Sequence, residues 1–155
     1  MTNTVRITVI GVIGAGACDE RTGLLAQRVG ELIAERGAAL VCGGLGGVME
    51  AASRGAALKG GLTIGVLPGG EREEANEYIT LPVVTDMGHA RNVIIAHTAQ
   101  ALIAVSGGHG TLSEISIGLK LGKPVVSLES WGHIDGVIRV ETPEEAVDAA
   151  FGEIG

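Results

Sequence analysis

The sequence predicts a three-layer α/β fold, with a mostly parallel sheet of about 6–7 strands flanked by helices. Two observations predict it. The hydrophobic period switches repeatedly between short strand-like runs and longer helix-like ones, as it does when helices wrap a parallel sheet. Glycine makes up 26 of 155 residues without any low-complexity run, about 17% against a usual 7%, and it gathers where those runs meet. One core suffices at this length, burying about 70% of the surface exposed by the unfolded chain, so residues 1–155 are read as a single domain.

Each element follows in order. Val5 to Ile13 is a nearly continuous apolar run that Gly14-Ala15-Gly16 ends. A helix follows with Leu25, Val29, Leu32 and Ile33 on one face, stopped by Gly37. Ala38 to Cys42 is the second strand, Gly43-Gly44-Leu45-Gly46-Gly47 a second glycine loop, and Val48 to Lys59 a helix closed by Gly60-Gly61. Leu62 to Leu67 is the third strand. Pro68-Gly69-Gly70 opens a charged loop, Glu71 to Glu77, before an extended stretch from Tyr78 to Thr85 around Pro82. Met87 to Gln100 is largely helical. The strand Ala101 to Val105 runs through Gly107-Gly108-His109-Gly110 into a helix from Thr111 to Leu121, and Pro124 to Leu128 and Gly136 to Val140 finish the sheet. Thr142 as N-cap, Pro143 in the first helical position and Glu145 three residues after the cap start a last helix over the core.

Composition excludes several classes. With a net charge of −7 and only Trp131, Tyr78 and Phe151 as aromatics, the chain lacks both the basic track and the stacking platform of a nucleic-acid binder. Cys18 and Cys42 are too few and too scattered for a disulfide scaffold. Buried, inert, reduced thiols are expected. Neither a signal peptide nor a run of 18 apolar residues is present, which predicts a cytoplasmic protein without a membrane span.

The chemistry is concentrated at the glycine loops. A glycine loop between a buried strand and a helix start lets the backbone approach an anion, aims N–H groups at it and adds the positive end of the helix dipole. In open α/β sheets such ligands sit beyond the carboxyl ends of the strands. Several phosphate ligands are excluded by spacing. Gly122-Lys123-Pro124 is not a nucleoside-triphosphatase loop, and Asp19 stands where a dinucleotide fingerprint needs its third glycine. Ala104 occupies the first glycine position of a nucleophile elbow around Ser106. Lys59, Lys120 and Lys123 lie at helix ends, where the dipole favours them. His89, His97 and His133 show no metal-ligand spacing, so no metal is expected.

Met87-Gly88-His89-Ala90-Arg91-Asn92, together with Gly107-Gly108-His109-Gly110-Thr111-Leu112-Ser113-Glu114, resembles the signature of the Lonely Guy family and its wider nucleotide-binding superfamily. Val41-Cys42-Gly43-Gly44 with Gly47-Val48-Met49-Glu50-Ala51 is similar to that family's second phosphate-side loop, and Gly122-Lys123-Pro124-Val125 to its following strand. These matches cover most of residues 5 to 128. The chain is most similar to the short branch that includes molybdenum-cofactor carrier proteins. The resemblance implies a Rossmann-like fold and a homo-oligomer, dimer or tetramer, for which the helix around Val93, Ile94 and Ile95 is the candidate interface. In hydrolytic members an arginine matching Arg91 and a glutamate matching Glu114 cleave the N-glycosidic bond of a nucleoside 5′-monophosphate. Glycines matching Gly107, Gly108 and Gly110, with Thr111, bind its phosphate. Two positions depart from the hydrolases: they usually have proline where this chain has Ser106, and an Arg-Lys pair where it has Arg91-Asn92. No cofactor lysine supports the lysine-decarboxylase label the family has often carried.

Binding residues are therefore expected at Gly14, Gly16, Gly43, Gly44, Gly46, Gly47, Arg91, Asn92, Gly107, Gly108, His109, Gly110 and Thr111. The catalytic pair, if the protein is an enzyme, is Arg91 and Glu114. The leading expectation is a protein that binds a phosphorylated small ligand, a nucleotide or a pterin-type molybdenum cofactor held as cargo, with no cofactor of its own required. The alternatives are a nucleoside 5′-monophosphate phosphoribohydrolase and a nucleotide-sensing module. Local readings compete with these. Thr111-Leu112-Ser113-Glu114 is also a capping box, Arg91 is alternatively a surface arginine in a helix, and His109 a residue that tolerates a left-handed turn.

Overall fold

The computed structural model describes residues 3–154. Seven strands form one sheet in the order β4-β3-β2-β1-β5-β6-β7, and every pairing is parallel. The chain runs β1 (Val9–Gly14), α1 (Glu20–Glu35), β2 (Ala39–Cys42), α2 (Val48–Leu58), β3 (Thr63–Leu67), β4 (Leu81–Val84), α3 (Arg91–Thr98), β5 (Ala101–Val105), α4 (His109–Lys120), β6 (Val125–Leu128), β7 (Ile138–Val140) and α5 (Pro143–Ile154). This is the Rossmann-like arrangement expected, all-parallel rather than mostly so.

Helices cover both faces, so the central strands bury both sets of alternating side chains. Ile10 and Val12 of β1 join Leu40, Ile103, Val29, Ala52 and Val147 in one core, under α1, α2 and α5. Ile13 joins Val41, Leu102, Ile95 and Ile115 in the other, under α3 and α4. The tightest helix contact lies between α1 and α2. A Cβ on Gly30 would sit 1.9 Å from the Ala52 carbonyl oxygen, and one on Gly55 1.9 Å from that of Gln27. At these two positions glycine is a condition of helix packing.

Two boundaries differ from the sequence reading. β1 begins at Val9 rather than Val5, because its neighbours begin there: Val9 aligns with Ala39 and Ile10 with Ala101. With no strand alongside, Val5 is 88% and Ile7 57% exposed. Met87 to Gln100 is shorter in helix than expected, a 3-10 turn at Gly88–Ala90 leading into the eight residues of α3. Lys123 Nζ reaches the far end of α3 and donates to the carbonyls of His97 at 3.1 Å and Ala99 at 2.6 Å. At α5 the expected cap is present, with Thr142 Oγ1 accepting from the Glu145 N–H at 3.1 Å.

The strand order reverses direction between β1 and β5. Chain leaving β1 turns toward β2, chain leaving β5 toward β6, and a crevice opens between them at the carboxyl edge.

Candidate functional site

A cavity of about 360 Å³ occupies that crevice. The β1–α1 turn supplies Gly14, Ala15 and Gly16, α2 supplies Met49, and the approach to α3 supplies His89, Arg91 and Asn92. The start of α4 supplies Gly108, Gly110, Thr111 and Glu114. The backbone here is under strain. Asp86, Ser106 and Glu129, the three non-glycine residues with positive φ among those described, have φ of 52°, 55° and 56°, and each follows a strand by one or two residues. Such angles cost of order 1–3 kcal/mol each and persist where surrounding contacts hold them.

The turn from β5 into α4 is the most constrained part. Ser106 is left-handed and Gly107 follows at φ 107°. A Cβ on Gly107 would meet Thr111 Oγ1 at 2.1 Å, so both angle and space require glycine. α4 begins at His109, two residues before the expected start, and its N-cap Gly108 makes no side-chain cap. From Gly107 to Thr111 the backbone N–H groups have no acceptor among the described residues. A helix end in this condition is an anion site by both hydrogen bonding and dipole.

The helix start also settles the competing local readings. Thr111 is the third and Glu114 the sixth residue of α4, so they form no capping box; both are buried, Glu114 at 9% exposure. His109 does not occupy a left-handed turn, since Ser106 and Gly107 take that role. It is the exposed first residue of the helix, its ring 6.4 Å from that of Trp131. Arg91 is not a surface arginine, being 8% exposed.

Arg91 is held from two sides. Its Nε donates to the Val66 carbonyl at 2.9 Å and its Nη1 to Asn92 Oδ1. Asn92, where the hydrolases usually carry lysine, thus replaces a second cation with an acceptor that orients the first. Arg91 and Glu114 line the same cavity without an ion pair closer than 4 Å among the described residues. Burial pushes the Glu114 carboxyl up to about 7, and the nearby Arg91 charge opposes this only in part. Burial lowers the Arg91 pKa, Glu114 opposing. A carboxyl near neutrality beside a guanidinium can hold, release or accept a proton.

The remaining expected residues support this cavity from behind. Gly43 backs onto Arg91 and Met49: a Cβ there would lie 2.7 Å from the guanidinium Nη2. Gly44, at φ 78°, packs on Leu67 and Gly65, and its N–H donates to the buried Cys42 Sγ at 3.3 Å. Gly46 and Gly47 lie against the Ala15–Ala17 backbone, forming a ridge. Across it, a second cavity of about 520 Å³ is lined by Cys18, Glu50, Arg54 and Tyr78. It is larger, and the N–H groups from Gly16 to Arg21 beside it likewise have no acceptor among the described residues; what distinguishes the first cavity is its buried charged pair, Arg91 and Glu114. Cys18 is exposed, contrary to the buried pair of thiols expected, because the chain after Gly16 has left the sheet. Among the described residues no three His, Cys, Asp or Glu side chains converge as a metal site requires, and no helix is long and apolar enough to cross a membrane.

Sequence reasoning missed His89 and Met49 in the cavity wall, and the contacts of Ser130 and Trp131 to the Ser106 and Gly108 carbonyls. Spacing gives no signal for the latter, which join two loops more than 20 residues apart.

Sheet order, switch-point cavity and unpaired helix start define a Rossmann-like domain with a candidate anion site. The chain belongs to the SLOG cluster4 family, whose profile matches residues 7–150. It is 56% identical over 144 residues to an uncharacterized protein of Archaeoglobus fulgidus, covering 93% of this chain and 95% of that one. It is 39% identical over 123 residues to the cytokinin riboside 5′-monophosphate phosphoribohydrolase of Mycobacterium tuberculosis, covering 73% of this chain and 65% of the hydrolase. Against that relative the chain therefore spans less than two thirds of the length. Among solved structures, the molybdenum cofactor binding protein of Rippkaea orientalis superposes with a TM-score of 0.91 at 35% identity, over 98% of this chain and 100% of that one. The molybdenum cofactor carrier protein of Chlamydomonas reinhardtii gives 0.86 at 35% identity, over 96% and 98%.

Proposed function

We propose that this protein binds and carries a phosphorylated small ligand, a nucleotide or a pterin-type molybdenum cofactor, with its phosphate on the N–H groups of Gly107 to Thr111. The observation that carries this reading is that run of unpaired N–H groups at the mouth of a cavity with a fixed, buried Arg91. Gly16, where a Cβ would meet nothing within 4 Å, leaves room in the opposite wall, and Arg91 supplies the cation that lets a phosphate share the space with Glu114. Likeness to two solved proteins described by the molybdenum cofactor supports the cargo class. The test is recovery of the ligand. Mass spectrometry of material that co-purifies, followed by titration calorimetry with AMP and the recovered compound, should give saturable binding and an unaltered ligand after incubation. A purified protein that binds no phosphomonoester refutes the reading.

A second reading is favoured by one observation, the Glu114 carboxyl raised to about 7 inside the cavity. Positioned beside the sugar of a nucleoside 5′-monophosphate, it would exchange the proton that N-glycosidic hydrolysis requires, a role contributing about 10²–10⁴ in rate. Release of free base and ribose 5-phosphate from AMP, lost in Glu114→Gln, would establish the hydrolase over the carrier. Assembly into a dimer or tetramer belongs to the same proposal. Of the three expected interface residues only Val93 is well exposed, at 42%, with Ile95 buried. Light scattering of the parent protein and of Val93→Glu measures both the assembly and that residue's part in it.

A further inference from the structure

The phosphate cradle described above does not hold its own shape. The Ser106–Gly107 peptide belongs to neither β5 nor α4, and both flanking residues have positive φ. What fixes it comes from the loop between β6 and β7. Ser130 Oγ donates to the Ser106 carbonyl at 2.6 Å, and Trp131 Nε1 donates to the Gly108 carbonyl at 3.2 Å. In a trans peptide the carbonyl and the following N–H point in opposite directions. Holding the Ser106 carbonyl toward the β6 side therefore turns the Gly107 N–H away from β6, and the Gly108 carbonyl, directed along α4 by the Leu112 N–H, leaves the His109 N–H at the open end of that helix. The Gly108 carbonyl has a second donor, the Leu112 N–H at 3.0 Å, whereas Ser130 is the only donor to Ser106 among the described residues.

The loop is itself braced. The Ser130 N–H donates to the buried Ser127 Oγ at 3.2 Å, and the Trp131 ring stands between those of His109 and His133, at 6.4 and 5.8 Å.

We infer that Ser130 and Trp131 are positioning residues for the phosphate cradle, turning the Ser106 and Gly108 carbonyls outward so that the Gly107 and His109 N–H groups face the ligand. Ser130 carries the larger share, because no other hydrogen bond among the described residues holds the Ser106 carbonyl. The inference rests on the phosphate reading of that loop. It assigns the loop after β6, which contributes no cavity lining, a direct part in affinity.

AMP is the probe, measured by titration calorimetry, with amide-resolved NMR on ¹⁵N-labelled protein as the second readout. The parent protein should show AMP-induced shifts at the Gly107, His109 and Thr111 amides. Ser130→Ala should weaken AMP about 5- to 20-fold, part of the roughly 10- to 150-fold that complete loss of one charge-assisted hydrogen bond would cost. It should lose the Gly107 shift while keeping that of Thr111, a selectivity that general destabilisation would not produce. Ser130→Thr, which keeps the hydroxyl, should restore both. Trp131→Phe, which keeps a ring but removes the N–H, should diminish the His109 shift and leave Gly107 responsive. If Ser130→Ala is too unstable to purify, the Trp131→Phe pattern alone decides. A parent protein that binds AMP, with variants that match it in affinity and in all three amide shifts, overturns the inference and leaves the phosphate reading intact. A parent protein that binds AMP without shifts at these amides, or does not bind it, overturns both.

Discussion

Glu114 makes a prediction about stability that is independent of any ligand. The carboxyl is 9% exposed and burial raises it from the ordinary 4.5 to about 7. The folded protein therefore holds this proton more tightly than the unfolded chain does. The sign follows: the contribution to stability is full below about pH 4.5, declines as pH rises through about 7, and is constant above that. The span corresponds to about 3 kcal/mol, at 1.36 kcal/mol per pH unit. Glu114→Gln keeps the shape without the titration. Its stability relative to the parent should be near zero at pH 4.5 and should grow to about 3 kcal/mol in favour of the variant by pH 8. Urea unfolding from pH 4.5 to 8.5, in phosphate-free buffers of constant ionic strength, measures this directly. With a slope of about 1–3 kcal/mol/M, the midpoint should move by about 1–3 M at pH 8. All other ionisable groups are common to the two proteins and cancel in the difference. A difference that is flat with pH, or that favours the parent at pH 8, would mean that Arg91 holds Glu114 ionised, and the argument from burial would fail.

Three further outcomes are expected. Arg91→Ala should weaken AMP roughly 10- to 150-fold, the 1.5–3 kcal/mol of a charge-assisted hydrogen bond, as read by calorimetry; an unchanged constant would remove Arg91 from the site. Gly55→Ala should destabilise the fold by at least about 1–3 kcal/mol in urea unfolding, because the added methyl meets the Gln27 carbonyl of α1 at 1.9 Å; a neutral result would mean the two helices separate without cost. A thiol reagent should label one cysteine, the exposed Cys18, in the native protein and both after denaturation, mass spectrometry of the digest assigning the site.

The fold was legible because each strand is a short apolar run punctuated by glycine, a signal that sits within a few neighbouring residues. Boundaries failed where a neighbour decides them. Val5 and Ile7 are as apolar as the strand they precede, and only the absence of a strand alongside leaves them exposed. α4 begins inside the glycine loop, and a helix opening on His109-Gly110 carries no propensity signal. That two-residue displacement turns an apparent cap, Thr111 to Glu114, into a pair of buried cavity residues. The close approaches of Gly30 to Ala52 and of Gly55 to Gln27, and the contact of Ser130 with Ser106, join segments more than 20 residues apart, and no local pattern encodes them.

The two departures from the hydrolases bear on which reading of the cavity the physics favours. Proline fixes φ near −65°, whereas Ser106 stands at 55°, so this turn is one that a proline at the same position cannot form. The serine permits the left-handed turn, and the Ser130 hydroxyl fixes the peptide that follows. Asn92 works in the same direction, since a lysine there would add a charge but could not accept from Arg91 Nη1. The cavity is left with one oriented guanidinium and one carboxyl near its neutral form. A phosphate brought beside Glu114 raises that carboxyl further, so binding near pH 7 draws in a proton and the repulsion between the two anions is relieved. A site that becomes more neutral as it fills would hold a phosphate by orientation and proton uptake, as the proposed carrier reading requires. A hydrolase would pass the same proton to the departing base and recover it within each turnover, so base release set beside AMP binding, in the parent and in Glu114→Gln, separates the two readings.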